Sequence, residues 1–244
     1  MNETIRQLYE RKSVRVYEDR EIDETIVQEI LLAASMAPSA GNEQLYTILR
    51  ITDQKIKDQL ADSCDHQPFI ARAKLVLVFC ADWLKWYEAY KAAGCDPRHP
   101  GEGDLLLAVE DALIAAQNAV VAAESYGIGS CYIGDIMENI ERQREILGLP
   151  ELVFPAGMLV FGYPTKQQKE RRKPERTDLR YLVQENRYKR RDPQELKAML
   201  GKSEHAEDYE EWIKAFCDRK YHSGFAREMT RSVREALKQF RTEA

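Results

Sequence analysis

The stretch Leu75-Val76-Leu77-Val78-Phe79-Cys80 is apolar at every position and has the length of a β-strand. A strand without polar alternation is typically buried on both faces. Met158-Leu159-Val160-Phe161 is a second run of this kind. Because both faces of such a sheet must be covered, the two runs predict a three-layer α+β domain with helices on each side of a sheet.

Helical apolar spacing and capping residues predict the surrounding elements. The pattern is helical again beyond Asp192, which predicts a C-terminal extension. Elsewhere we expect helices from Asp23 to Met36, from Asp104 to Tyr126 and from Glu138 to Leu147, a strand from Tyr46 to Ile51, a short helix capped by Asp53, and a brief extended run at Tyr181-Leu182-Val183.

Charge and composition argue against several classes of protein. The formal net charge is −5, whereas a general nucleic-acid binder usually carries a basic surplus. The longest apolar stretch, 105–123, contains Glu110 and Asp111, which argues against a membrane span. The five cysteines and four histidines lack metal-ligand spacing, so we expect no metal site and reduced thiols in a cytoplasm.

The run Arg11-Lys12-Ser13-Val14-Arg15 places three cations and a hydroxyl within five residues, directly after a short helical segment. A phosphate monoester is bound by such donors, because Arg can hold two oxygens at once, Lys adds a point charge and Ser adds a hydrogen bond. An isolated run of this kind is also typical of a solvent-exposed basic turn.

Two loops add polar and small residues. Pro38-Ser39-Ala40-Gly41-Asn42 allows close backbone approach to a planar ligand and is also a common way to end a helix. The segment 127–135 has glycines at 127, 129 and 134, but it follows a helix and carries Tyr132 where a dinucleotide fingerprint needs its third glycine. A Rossmann interpretation is therefore rejected.

These elements, in this order, resemble the FMN-dependent nitroreductase and flavin reductase family, and most of all its oxygen-insensitive NADPH nitroreductases and NADPH-flavin oxidoreductases. The likeness extends over nearly the whole chain. It is carried by the basic run and the loop at 38–42, and further by Arg50-Ile51-Thr52-Asp53, Phe79-Cys80-Ala81-Asp82, Ala115-Ala116-Gln117-Asn118, Tyr132-Ile133-Gly134, Gly162-Tyr163-Pro164 and Gln184-Glu185-Asn186-Arg187-Tyr188.

The resemblance implies a nitroreductase-like fold, with a mixed, mainly antiparallel sheet flanked by helices and followed by the C-terminal extension. It implies an FMN-binding domain at 1–190 and a helical extension of that domain at 191–244. It also implies a homodimer with two FMN molecules at the subunit interface. In this family the long helix, here expected from Asp104 to Tyr126, lies at the core of the dimer. Tyr181-Leu182-Val183 would then add to the partner's sheet.

The resemblance further implies the residues that hold FMN. Arg11, Lys12, Ser13 and Arg15 would bind the ribityl phosphate and the flavin edge, Ser39 and Gln67 would contact the pocket from the partner's side, and Tyr132, Ile133, Gly134 and Asp135 would lie along the isoalloxazine. Lys173 and Arg176 resemble a Lys-Pro-Arg element that completes phosphate binding. Here Glu175 is inserted, so Arg172, Lys173 and Arg176 stay alternatives. Asp135 stands where relatives often have Gly or Glu.

The implied activity is NAD(P)H oxidation by a ping-pong hydride transfer through flavin N5, with a nitroaromatic, a quinone or a flavin as the small-molecule acceptor. No side chain is required as acid or base, so no catalytic residue is named. NADPH preference depends on Arg219 and Lys220, which also fit an ordinary charged helix face. The alternatives are a flavin-binding or flavin-delivery protein, and a non-nitro reductive enzyme with a lid at 83–103.

Overall fold

The two apolar runs form the centre of an antiparallel sheet. The strands of this sheet in the described residues are β1 (Tyr46–Arg50), β2 (Leu75–Asp82), β3 (Gly129–Ile133) and β4 (Val153–Gly162), in the order β1-β2-β4-β3. β2 and β4 are buried at every position and pair with Leu77 opposite Leu159. The structure is a computed structural model and describes residues 1–201 and 207–241.

The rest of the described chain is largely helical, and the C-terminal part is helical as predicted. In chain order they are α1 (Glu3–Glu10), α2 (Glu24–Ser35), α3 (Gln54–Ser63), α4 (Pro68–Ala71), α5 (Leu84–Ala92), α6 (Glu102–Ser125), α7 (Ile140–Leu147), α8 (Lys166–Glu170), α9 (Leu179–Leu182), α10 (Pro193–Leu200), α11 (Tyr209–Lys220) and α12 (Gly224–Leu237). Short 3₁₀ turns lie at Ala40–Asn42, Gly134–Met137 and Lys238–Phe240.

Alternate residues of the central strands supply two separate cores, one on each face of the sheet. Leu75, Leu77 and Phe79 pack with α2 and α6, whose alanines allow close approach. Val76 and Val78 face the opposite way, toward α3 and α4. This arrangement confirms the three-layer α+β fold. By length and composition α6 could also cross a membrane, but here one side of it is buried against the sheet.

Local capping explains where the helices begin. Asp23 and Asp53 accept hydrogen bonds from the first turns of α2 and α3, as predicted. α6 begins two residues before Asp104, because Asp104 occupies its first turn and accepts from the Gly101 N–H at 2.7 Å. α7 begins at Ile140 because Glu138 is extended and Asn139 is left-handed.

The extended run expected at Tyr181-Leu182-Val183 is wrong for Tyr181 and Leu182. Both lie in α9, whose first turn is capped by the Asp178 side chain accepting from the Arg180 N–H at 3.0 Å. Ser, Thr, Asp and Asn at this position stabilise a helix start, and a single turn after such a cap is too short to show apolar periodicity. Val183 alone is extended.

The chain divides into two compact units. The first comprises Met1–Arg171 and Glu228–Ala244, and the second comprises Arg172–Arg227. The first unit holds the sheet and its helices; the second contains α9, α10 and α11. The expected division into 1–190 and 191–244 concerns one domain with its extension and stays a prediction.

Candidate functional site

The basic run 11–15 lies along the edge of the sheet beside β3. Ser13 forms an isolated parallel bridge with Ser130, and the Val14 N–H donates to the Ser130 carbonyl at 2.9 Å. A few residues later the Glu18 N–H donates to the Tyr163 carbonyl at 2.8 Å, at the end of β4. Backbone pairing therefore fixes the run against β3, and the residues that follow it against the end of β4.

Two glycines allow this close approach. A Cβ atom added at Gly129 would lie 2.4 Å from Val14 Cγ2, and one at Gly162 would lie 2.6 Å from Tyr17 Cδ1. Real Cβ atoms do not come so near to other heavy atoms, so only glycine fits at these positions. Gly129 thus serves contact with the basic run and is not part of a dinucleotide fingerprint.

Arg11, Ser13 and Arg15 converge on Cys131 in β3. Burial raises the pKa of the Cys131 thiol, and Arg15, Ser13 and Arg11 oppose that rise, which places all three groups near the sulfur. Arg11 Nε is buried without a hydrogen-bond partner. Within 1–201 and 207–241, neither Arg11 nor Arg15 forms an ion pair with a carboxylate. Two guanidinium groups thus share a small region without a neutralising anion, as an anion-binding site requires.

Lys12, unlike Arg11 and Arg15, donates its side-chain hydrogen bonds to backbone carbonyl groups. Its ammonium donates to the carbonyl oxygens of Lys169 at 2.6 Å and Arg171 at 2.5 Å. Arg171 in turn donates from Nη2 to the Ser13 carbonyl at 2.7 Å. Lys12 and Arg171 therefore brace the segment after α8 against the basic run. An ammonium has three N–H bonds, so one remains for a ligand.

Gln67 and Asp135 both lie near Cys64. Gln67 Nε2 donates to the Cys64 carbonyl at 2.8 Å. Burial raises the pKa of the Cys64 thiol to about 12, and the nearby carboxylate of Asp135 adds to the rise. Phe69, two residues after Gln67, lies with its ring centroid 5.8 Å from the guanidinium carbon of Arg15. The structure thus brings Gln67, Asp135 and the basic run into one region.

The segment from Tyr132 to Asp135 ends β3 and enters the 3₁₀ turn Gly134–Met137. Burial raises the pKa of Tyr132 to about 12, opposed by Arg11, and its hydroxyl donates to Gln117 Oε1 at 3.3 Å. Ile133 is buried, whereas Gly134 is exposed. A Cβ added at Gly134 would meet no atom within 4 Å, so the space in front of this turn is open.

Ser39 lies in a different loop, and no contact joins it to the basic run among the described residues. Its hydroxyl accepts from the Gln44 N–H at 3.1 Å. The loop is held by Asp111 of α6, whose buried carboxylate accepts from the Ala40 N–H at 3.0 Å and the Leu45 N–H at 3.1 Å. Asp111 was not predicted as a site residue, although a carboxylate inside an apolar helix is a visible signal.

Glu138 is a second acidic residue that the sequence did not single out. Its side chain is buried, and Oε1 has no hydrogen-bond partner in the described chain. Burial raises the pKa of this carboxyl to about 7, and the carboxylates of Asp135, Asp65 and Glu228 add to the rise. A buried carboxyl with a raised pKa therefore lies directly after the Gly134–Met137 turn.

The remaining predictions concern two pairs of cations and the possible lid at 83–103. Lys173 and Arg176 belong to the second unit, so their part in phosphate binding stays a prediction. Arg219 and Lys220 end α11, with Arg219 above the ring of Phe216 at 5.3 Å. In the 83–103 segment, Trp83 donates to the Asp104 carbonyl at 2.6 Å, which is a packing role.

Comparison with known proteins identifies this architecture. The model of the nitroreductase family matches residues 8–163. The oxygen-insensitive NADPH nitroreductase of Salmonella typhimurium is 34% identical over 77% of this chain and 75% of its own, and the FMN reductase [NAD(P)H] of Bacillus subtilis is 31% identical over 67% of each. The structure of Bacillus megaterium NfrA1 is similar with a TM-score of 0.86 at 26% identity, over 98% of this chain and 99% of that chain. Since the family model covers more than half of its length, the chain belongs to the nitroreductase family.

Proposed function

We propose that this protein is an FMN-dependent NAD(P)H oxidoreductase that reduces nitroaromatics, quinones or flavins in a ping-pong reaction. The observation that carries the proposal is the pair Arg11 and Arg15, which has no carboxylate partner in the described residues, beside the open turn at Gly134. When bound, FMN supplies a two-electron carrier that accepts hydride at N5 from NAD(P)H and passes electrons to the acceptor.

The residues of the chain provide binding and orientation. Arg11, Ser13 and Arg15 hold the phosphate, with the third N–H of Lys12 in support. The turn from Tyr132 to Asp135 presents backbone N–H groups to the isoalloxazine. In place of the partner's side, which the resemblance implies, we assign Gln67 to the same-chain side of the pocket; its position near Cys64, to which Asp135 is also near, supports this. Ser39 is then the residue assigned to the partner's side.

A homodimer accounts for the exposed face of α6. Leu106, Leu107, Leu113 and Ile114 are all more than a third exposed, and the two pairs lie two turns apart on one side of the helix with the exposed Glu110 between them. Exposed apolar side chains grouped on one side of a helix are typical of a subunit interface. All five cysteines are free thiols, which supports the proposal that the dimer functions in the cytoplasm.

Arg15→Ala tests the anchoring role. We expect the purified wild-type protein to be yellow with the absorbance of bound FMN, and the variant to lose FMN about 10-fold more readily, in line with the loss of a charge-assisted hydrogen bond. Excess FMN should restore activity, because Arg15 anchors the cofactor. Arg142→Ala is the control, since Arg142 is paired with Asp62 at 2.6 Å. A colourless wild-type protein that cannot be reconstituted would contradict the proposal.

Steady-state kinetics separate an enzyme from a flavin-delivery protein. We expect sustained oxidation of NADPH with a quinone acceptor, and parallel lines in a double-reciprocal plot as for any ping-pong reaction. A single turnover that then stops would indicate flavin delivery. NADPH preference is tested by kcat/KM for NADPH and NADH in wild type and in Arg219→Ala, and equal values in the wild type would contradict a role for Arg219.

Asp135 would tune the flavin. A carboxylate near the isoalloxazine disfavours added negative charge and lowers the midpoint potential. We expect Asp135→Asn to raise that potential in a spectroelectrochemical titration, because the substitution keeps the shape and removes the charge. An unchanged potential in the FMN-loaded variant would show that only the backbone N–H at this position matters.

A further inference from the structure

The turn at Gly134–Met137 leads into a constrained piece of backbone. Glu138 is extended, and Asn139 has φ 47° and ψ 45°, the left-handed region that non-glycine residues rarely adopt. Asn139 stands at the N-cap position of α7 but gives that helix no side-chain hydrogen bond. The helix start and the left-handed residue therefore depend on groups from elsewhere in the chain.

Those groups come from α12. Glu228 Oε1 accepts from the Asn139 N–H at 3.1 Å, and Ser232 Oγ accepts from the Ile140 N–H at 3.1 Å. The Ser232 hydroxyl then donates to Glu228 Oε1 at 2.8 Å, which closes a small network. We call Glu228 and Ser232 the clasp. It supplies the first backbone N–H groups of α7 with the acceptors that a helix start lacks.

Three further contacts fix the clasp. Arg231 donates from Nη1 and Nη2 to the two carboxylate oxygens of Glu141 at 2.7 Å, and from Nη2 and Nε to those of Glu228 at 2.8 and 2.9 Å. Asn139 Nδ2 donates to the Ser63 carbonyl at 3.2 Å. Ser232 is fully buried. Because water cannot replace a lost acceptor at a fully buried position, removing the Ser232 hydroxyl would leave the Ile140 N–H without a partner.

We propose that Glu228 and Ser232 are positioning residues for the flavin, which hold the backbone of the Gly134–Asn139 segment in the conformation that receives the isoalloxazine. The inference rests on the proposed function. It follows from how the two ends of the segment are held. The segment begins directly after β3, which pairs with β4, and it ends at Asn139, whose N–H donates to Glu228 of the clasp. With its end released, the segment would lose the left-handed conformation of Asn139, and its N–H groups would point elsewhere.

The test compares four variants of the full-length chain. Ser232→Ala removes one acceptor, Glu228→Ala removes the other, and Glu228→Gln keeps an oxygen that can accept from Asn139. Glu235→Ala is the matched control, because Glu235 is on the same helix and pairs with Lys238. FMN affinity is measured by quenching of flavin fluorescence. We expect Kd to rise about 5- to 10-fold in the two clasp Ala variants, in line with the loss of a helix-capping acceptor, and to stay within about 2-fold in Glu228→Gln and Glu235→Ala.

Two other readouts separate positioning from a general loss of stability. The visible circular dichroism of bound FMN, at saturating FMN, should change in the Ala variants and return with Glu228→Gln. Hydrogen exchange in the FMN-free chain should accelerate at Asn139 and Ile140, while amides of β2 keep their protection. If the Ala variants bind FMN as tightly as the wild type with an unchanged spectrum, the clasp has no positioning role. If the wild type itself binds no FMN, the proposed function fails.

Discussion

The surroundings of the Glu138 carboxyl favour its neutral form. Its side chain is buried, and the carboxylates of Asp135, Asp65 and Glu228 lie near enough to raise its pKa, with burial as the larger cause. In the unfolded chain the group ionises near its ordinary value of 4.5, whereas in the folded chain its pKa is about 7. Between these values the folded state binds a proton that the unfolded state releases, so the stability contributed by this group falls as pH rises and is lowest above pH 7.

Glu138→Gln should remove this pH-dependent cost. We expect the variant to match the wild type near pH 5 and to exceed it by roughly 1 to 3 kcal/mol in the free energy of unfolding at pH 8. Denaturant unfolding at the two pH values measures the difference. The same substitution at the exposed Glu145 is the control. A Glu138→Gln variant that is equally stabilised at both pH values would show that packing, and not ionisation, causes the change.

Asp111 has a comparable single-residue role in the Ser39 loop. Its two carboxylate oxygens accept from the Ala40 and Leu45 N–H groups, and Asn at this position would turn one acceptor into a donor facing an N–H. We expect Asp111→Asn to lower the free energy of unfolding by about 1 to 3 kcal/mol in denaturant titrations. Asp58→Asn, on the exposed side of α3, should change it little. Equal effects of the two substitutions would refute this role for Asp111.

At the scale of elements, the closest fit in the site is between the basic run and Gly129 of β3. Gly129→Ala would push Val14 away, because the new Cβ would lie 2.4 Å from Val14 Cγ2 and 2.8 Å from its Cβ. We expect loss of bound FMN, measured as the flavin-to-protein absorbance ratio after gel filtration. Gly103→Ala is the control, since a Cβ there meets nothing within 4 Å. Wild-type flavin content in Gly129→Ala would mean that the run need not lie so close to β3.

Elements with strong local signals were predicted well. β2 and β4 are continuous apolar runs, and α2 and α3 carry capping aspartates, so the information lies within a few residues. The start of α7 was placed two residues early, because it depends on acceptors from α12 almost ninety residues later in the chain. Similarly, Lys12 has acceptors 157 and 159 residues away. The residue types of the site could therefore be predicted, but not which cations are already engaged.

For the whole molecule, the exposed apolar side of α6 is the feature to test. We expect Leu107→Arg to convert a dimer to a monomer and to lower FMN retention, because a buried unpaired cation would lie in the interface. Sizing with light scattering and the flavin absorbance report both effects. Ala92→Arg adds the same charge at the exposed end of α5 and should leave the dimer intact. A dimeric Leu107→Arg protein with full flavin content would exclude this face as the interface.

The pairing of residues 11–15 at the sheet edge also determines when this part of the fold can form during synthesis of the chain. Residues 11–15 leave the ribosome well before their partners Ser130, Lys169 and Arg171 are made. At roughly 5 to 20 residues per second, translation leaves a delay of about 10 to 30 seconds before the last of these partners exists. The proposed anion site therefore cannot form on a short nascent chain, and loading of the proposed cofactor would wait until most of the first unit has been made. Truncated chains that stop before β4 should emerge unable to capture FMN, however intact their N-terminal sequence.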